Sequence, residues 1–323
     1  MKLIDSFGRK HTYLRISVTD RCNFRCVYCL PEDGVHWTSK SDILSYEEIA
    51  RIVHVFAQLG IQKIRLTGGE PTMRADICTL VESLCQIQGI REVNMTTNAY
   101  TLPKMAQPLY KAGLRKLNIS LDTLDKEIFH KMSKGFSIDP VLRGIKKARA
   151  LGFSLKMNAV ILKGMNEHSI LPLIDFCSSR NIELRFIEYM PFEARWHQCI
   201  TSAEIQARVS QLYTLSPLSS DSLDGPSQTY WVPEKKMRVG FISPLSNKFC
   251  ASCNRLRLSC KGELRTCLAH EEAPSLGTLL RNNANDVELK HQIQRQVLGK
   301  KEGHSCEVES GTFFQGVMTQ IGG

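Results

Sequence analysis

The stretch TDRCNFRCVYC, residues 19–29, sets Cys22, Cys26 and Cys29 at C-x3-C-x2-C spacing beside Tyr28, Asn23 and two arginines. A structural zinc site takes four ligands, and a cubane iron–sulfur cluster has four irons that each take a protein or external ligand. Three thiolates are one short of either. In a cubane the shortfall leaves one iron open to bind and activate a substrate. In a zinc site a distant ligand such as His11 or His36 would complete the set, and Cys26 with Cys29 could instead form a redox pair. Spacing alone leaves these readings open.

A second group lies near the other end, in CASCNRLRLSCKGELRTC, where Cys250 and Cys253 form a C-x2-C and Cys260 and Cys267 follow. All four together could close a tetrahedral zinc site, and three would again leave one iron open. Just past Cys253, Arg255 and Arg257 alternate on a β-like run and so share a face. Two guanidiniums on one face can grip phosphate bidentately, although an exposed basic strand would look the same. The net charge of +10 favours an anionic partner, whether nucleic acid, a membrane surface or a phosphorylated small molecule, and solvated surface Lys and Arg account for it equally well. A zinc-containing nucleic-acid binder would interleave aromatic residues with its basic stripe, and no such pattern is evident.

These residues need a scaffold. The chain has 323 residues, 42% hydrophobic and 23% charged, as expected of a folded protein with a large core or two domains. No apolar run approaches a spanning helix, and MKLIDSFGRKHTY carries Asp5 and no apolar leader, which predicts a cytoplasmic protein with no membrane partner. Twelve cysteines without a secretory leader point to metal or redox chemistry rather than disulfides. Cys78, Cys85, Cys177, Cys199 and Cys306 lie outside both groups and read as small buried hydrophobes.

Six short β-rich runs alternate with amphipathic stretches: YLRISV, KIRLT, EVNMTT, KLNIS, LKMNAVI and ELRFIEY, with helices predicted at 46–59, 76–87, 102–112, 141–151 and 170–180. Strand followed by helix, repeated, implies right-handed crossovers and a parallel sheet whose chemistry gathers at the carboxyl ends of its strands. The cysteine triplet, TGGEP, Thr97 with Asn98, Ser120 with Asp122, and Glu188 to Met190 all fall there. Six units are too few for a full barrel, so an open one is expected, with the tail closing it. Past Met190 the alternation fades into a Ser- and Pro-rich loop from Leu215, then TYWV, MRVGFI and a hairpin around Lys261 and Gly262.

CNFRCVYC resembles the radical S-adenosylmethionine (SAM) signature, in which the open iron chelates SAM, and TGGEP resembles the glycine-rich motif of that superfamily. Physically, Gly68 and Gly69 allow close backbone approach, and Glu70 can accept from an amino group. The rear cysteines resemble the second 4Fe-4S site of the GTP 3',8-cyclases, the family that begins molybdenum cofactor biosynthesis. The likeness runs nearly end to end, through DSFGRKHTYLRISVTDRCNFRCVYCLPE, KIRLTGGEP, LNISLDTLD, LRFIEYMP and the terminal IGG.

The resemblance implies an α/β fold: a partial (βα)6 radical SAM barrel, residues 1–225, closed by a small C-terminal α+β region, residues 226–323, that carries a second cluster. It implies two 4Fe-4S clusters, one on Cys22, Cys26 and Cys29 and one on Cys250, Cys253 and Cys267, with Cys260 outside the ligand set. SAM contacts fall to Tyr28, Gly69, Ser120 and Met190. GTP contacts fall to Arg15, Arg65, Thr96, Lys156, Arg255 and Arg257, and the Gly322-Gly323 tail reaches the active site. In the implied reaction a 5'-deoxyadenosyl radical takes hydrogen from ribose C3' of GTP, the sugar radical attacks guanine C8, and an electron and a proton complete the cyclic dihydroguanosine triphosphate. A one-electron donor, a downstream pterin-forming enzyme and a homodimer are the implied partners. A peptide-modifying radical SAM enzyme with an auxiliary cluster is the alternative, and it would need a peptide groove in place of converging arginines.

Overall fold

Period-two alternation sets up the architecture. In β1 (Tyr13–Ser17) Leu14 and Ile16 are fully buried in the core, whereas Tyr13 and Arg15 line a cavity on the other face of the sheet. The same split holds in β2 (Lys63–Thr67), with Ile64 and Leu66 in the core and Lys63, Arg65 and Thr67 on the cavity. β3 (Glu92–Thr97), β4 (Lys116–Ser120), β5 (Ser154–Val160) and β6 (Glu183–Ile187) continue the series. The apolar faces of these strands are covered by α1 (Tyr46–Gln58), α2 (Ile77–Gln86), α3 (Leu102–Lys111), α4 (Lys126–Ser133), α5 (Asp139–Ala150) and α6 (Ile170–Ser178). This is a computed structural model, and it describes residues 2–30, 35–190, 198–219, 225–269 and 274–304.

The six strands are parallel and lie in chain order, as expected. The tail then divides between the two edges. β9 (Met237–Ile242) runs parallel to β6 and carries β8 (Gln228–Val232) and β7 (Ser216–Pro217) outward, while β10 (Arg255–Leu258) runs parallel to β1 and carries β11 (Leu264–Arg265). The expected hairpin around Gly262 is β10–β11. Flanking strands on both edges, rather than one cap, make the partial barrel with its C-terminal α+β extension.

Four helices were not anticipated: α4, α7 (Ser202–Ser210), α8 (Leu276–Arg281) and α9 (Asp286–Leu298). None exceeds 13 residues, and their starts are set by caps rather than by long apolar periodicity. Asp125 accepts from the N–H groups of Glu127 and Ile128 to begin α4, and capping boxes, Thr201 with Glu204 and Asn285 with Glu288, begin α7 and α9.

Register fixes the relative heights of the chemistry. Arg15 pairs with Arg257 on one side and Arg65 on the other, and one level below, Tyr13 pairs with Arg255 and Lys63. Cys22, Cys26 and Cys29 follow the carboxyl end of β1, whereas Cys253 precedes the amino end of the parallel strand β10. The two cysteine groups therefore lie at opposite ends of the barrel, with the arginine row between them.

Candidate active site

One cavity of about 840 Å³ is lined by every described residue expected at the site: Cys22, Cys26 and Cys29, Cys250, Cys253 and Cys267, Tyr28, Gly69, Ser120 and Met190, and Arg15, Arg65, Thr96, Lys156, Arg255 and Arg257. Gly322, Gly323 and Cys306 lie outside the described residues.

The front loop is fixed by its neighbours. Phe24, buried between Cys22 and Cys26, packs edge-on to Tyr100 and Phe129 and against Phe136. Val27 N–H donates to Met132 O at 3.0 Å, which docks the loop on the end of α4, and Asn98 Nδ2 donates to Asn23 Oδ1 at 2.8 Å. Burial, then the nearby Glu70, pushes the Cys22 thiol up to about 12, and burial, then Cys22, does the same to Cys29. Cys26 is raised by burial and then by Cys29. Three converging thiols that disfavour one another's ionisation form a donor set that needs shared positive charge, which an iron–sulfur core supplies.

The glycine-rich loop has a role the sequence reading did not assign. Gly69 N–H donates to Thr19 O at 2.8 Å and Glu70 N–H to Arg21 O at 2.9 Å, so this loop clasps the backbone leading into the cysteines. A Cβ on Gly69 would stand 2.2 Å from Arg21 O, so the close approach that requires glycine is between two protein loops. Glu70 is 1% exposed. Its Oε1 accepts from Thr72 N–H (3.1 Å), Thr72 Oγ1 (2.5 Å) and Thr97 Oγ1 (2.7 Å), and its Oε2 from Asn98 N–H (2.7 Å). Protein donors meet both carboxylate oxygens, and the residue ties the β2 and β3 loops together.

Across the rim, Tyr28 O–H donates to Asp122 Oδ2 at 2.7 Å, and Asp122 Oδ1 accepts from Val160 N–H at 2.8 Å. Burial pushes the Asp122 carboxyl up to about 6. The sequence placed Asp122 on this rim without a role, and its link to Tyr28 spans 94 positions, which no local pattern reveals.

Deeper in, Arg65 Nε donates to the Tyr13 hydroxyl and Nη1 to Thr96 Oγ1 at 3.4 Å. Lys156 pairs with Glu183 at 3.0 Å, and the Arg255 guanidinium lies 4.8 Å from the Phe249 ring centroid. Burial, then Arg255, lowers the Arg257 pKa to about 10, as expected of cations crowded on one wall. At the rear, burial raises the Cys253 thiol, but Arg255 and Lys300 outweigh it and bring the pKa down to about 7. A thiolate favoured by fixed cations is a ready metal ligand.

Cys260 is 2% exposed, its Sγ 3.8 Å from Thr38 Oγ1, and it does not line the cavity. Neither His11 nor His36 reaches the cavity. Among the described residues no three His, Cys, Asp or Glu side chains are grouped so as to hold a single metal ion. Of the remaining cysteines, Cys177 is fully buried as expected, whereas Cys85 is exposed. Among the described residues no helix is long and apolar enough to cross a membrane.

Residues 16–177 match the family model of the radical SAM superfamily, and residues 182–306 match that of Molybdenum Cofactor Synthesis C. The chain is 42% identical to the GTP 3',8-cyclase of Pseudomonas putida (strain W619), over 99% of this chain and 98% of that one. It is also 42% identical to the GTP 3',8-cyclase of Rhodopseudomonas palustris (strain TIE-1), over 95% and 91%. Streptococcus suis SuiB bound to S-adenosylmethionine shares the fold, with a TM-score of 0.63 at 18% identity over 98% of this chain and 79% of that one. Two cysteine triads facing one cavity, with end-to-end likeness to these relatives, place the chain in the radical SAM superfamily and, within it, in the GTP 3',8-cyclase family.

Proposed function

We propose that this chain is a lyase that converts GTP to (8S)-3',8-cyclo-7,8-dihydroguanosine 5'-triphosphate, the first step toward molybdopterin. The observation that carries the reading is the row Arg257–Arg15–Arg65, held in register between two cysteine triads at opposite ends of one cavity. With SAM bound to it, the front cluster supplies a hydrogen-abstracting radical. Cys22, Cys26 and Cys29 hold that cluster, and Cys250, Cys253 and Cys267 hold the second. Tyr28, Ser120 and Met190 orient SAM, together with the carbonyl of Gly69, whose N–H already donates to Thr19. Arg15, Arg65, Arg255, Arg257, Thr96 and Lys156 grip the nucleotide, and guanidiniums bind phosphate bidentately. Of these residues Arg65 is buried, and the others are partly exposed on the cavity they line.

The Gly322-Gly323 tail as a catalytic segment, a homodimer, a one-electron donor, a downstream pterin-forming enzyme and a cytoplasmic location belong to the same proposal. SuiB shares the fold and is also known bound to its precursor peptide SuiA, but in this chain the arginine row favours a nucleotide over a peptide. Calorimetric titration of the anaerobically iron-loaded protein tests the substrate: GTP binding at least tenfold tighter than ATP is expected, and equal affinities would remove guanine as the recognised base.

A further inference from the structure

Lys300 follows α9 and is 3% exposed, yet it lies off the cavity and does not face the nucleotide site. Its ammonium donates to Cys253 Sγ at 3.5 Å and to the Arg255 carbonyl at 3.1 Å. A buried ammonium is costly unless a partner compensates it, and no carboxylate among the described residues pairs with this one. Its anionic partner among the described residues is the Cys253 sulfur.

A second cation steadies the same corner. Arg9, from the opposite end of the chain, donates through Nη1 to Cys250 O at 2.9 Å and Glu302 O at 2.6 Å, and through Nη2 to Lys301 O at 2.7 Å, while Asp5 holds its Nε at 2.6 Å. Arg9 thus pins the backbone on both sides of the contact, and Lys300 is held against Cys253 by built structure. At the front triad the corresponding sulfur contact is a neutral amide, Asn98 Nδ2 to Cys22 Sγ at 3.8 Å, so the two triads are solvated differently.

We propose that Lys300 is a positioning residue that acts through Cys253, its ammonium raising the reduction potential of the rear iron–sulfur cluster. The inference rests on the reading that Cys250, Cys253 and Cys267 hold a 4Fe-4S cluster. Reduction adds one electron to the cluster and its thiolates, breaks no bond and moves no proton at Lys300. A fixed positive charge bonded to a ligand sulfur favours the more negative, reduced state.

The test uses the full chain with Cys22→Ala, Cys26→Ala and Cys29→Ala, so that only the rear cluster gives a signal, titrated with dithionite and mediators and followed by electron paramagnetic resonance. Lys300→Met is expected to shift the reduction equilibrium at least tenfold toward the oxidised form, about 59 mV for a one-electron couple. Lys300→Arg is expected to stay near the parent, and Lys300→Gln, which keeps a donor without the charge, to fall between. An unchanged potential in a fully loaded Lys300→Met variant overturns the inference. If Lys300→Met does not load, the comparison of Lys300→Gln with Lys300→Arg decides it, and equal potentials overturn it. Failure of the triple-alanine parent to take up about four irons removes the rear-cluster reading itself, and this inference with it.

Discussion

Arg15 and Arg257 stand side by side across the parallel β1–β10 pair, although 242 positions separate them in the chain. Two guanidiniums in register on one wall favour an anion beside them, and in the proposed function the pair grips phosphate. Arg257→Ala and Arg255→Ala are each expected to weaken GTP affinity by roughly 10- to 100-fold, the loss of one charge-assisted contact of about 1.5–3 kcal/mol. Iron content should not change. Titration calorimetry with parallel iron analysis checks this, and an unchanged affinity would remove that residue from the phosphate site.

Gly69 and Arg21 pack so closely that an added Cβ on the glycine would meet a carbonyl oxygen at 2.2 Å. Backbone cannot yield as a side-chain tip can. Gly69→Ala is therefore expected to displace the cysteine loop and halve the iron content to about four per chain, leaving the rear cluster loaded. Iron analysis with Mössbauer spectra of the two sites measures it. Full loading of both sites would show that the clasp tolerates the methyl.

The knot at Glu70 predicts a stability phenotype. In Glu70→Gln an oxygen that accepts becomes an amide that faces donors, at a cost of about 2 kcal/mol, or roughly 5 °C in melting temperature. Differential scanning calorimetry reads the change. A raised KM for SAM with no loss of stability would instead restore the amino-group role expected from the sequence.

His11 sets a pH dependence. It is 1% exposed, its Nε2 lies 3.0 Å from Asp5 Oδ2, and burial, then Lys300, lowers its pKa from 6.5 to about 4. Between those values the unfolded chain takes up a proton that the folded chain refuses, so stability is full above pH 6.5 and declines as pH falls toward 4. By pH 5 the loss is on the order of 2 kcal/mol. His11→Gln should flatten the fall in melting temperature between pH 7 and pH 5. An identical slope in the variant would assign the dependence to other groups.

Much of this was legible in the sequence, for identifiable reasons. The six parallel strands announce themselves because each has an apolar face toward the helices and a polar face toward the cavity, as YLRIS and KIRLT show. The cysteine triads and Arg255 with Arg257 are local patterns, and the structure gathers them on one cavity. What escaped is long-range or short. The split of the tail between two sheet edges is set by pairings across the whole chain, and α4 spans only eight residues. Arg9 meets Cys250, and Lys300 meets Cys253, from opposite termini. The type and place of Glu70 were visible in the sequence, but its four protein donors were not.

In the proposed function one cavity makes a radical at the front and uses it on GTP held toward the rear. Anaerobic reconstitution with iron and sulfide, followed by dithionite, SAM and GTP, tests it directly. The account predicts about eight irons per chain, deoxyadenosine released in step with GTP consumption, and a cyclic dihydroguanosine triphosphate product. Deoxyadenosine formed while GTP is left intact, or tight zinc with no cleavage of SAM, would contradict it.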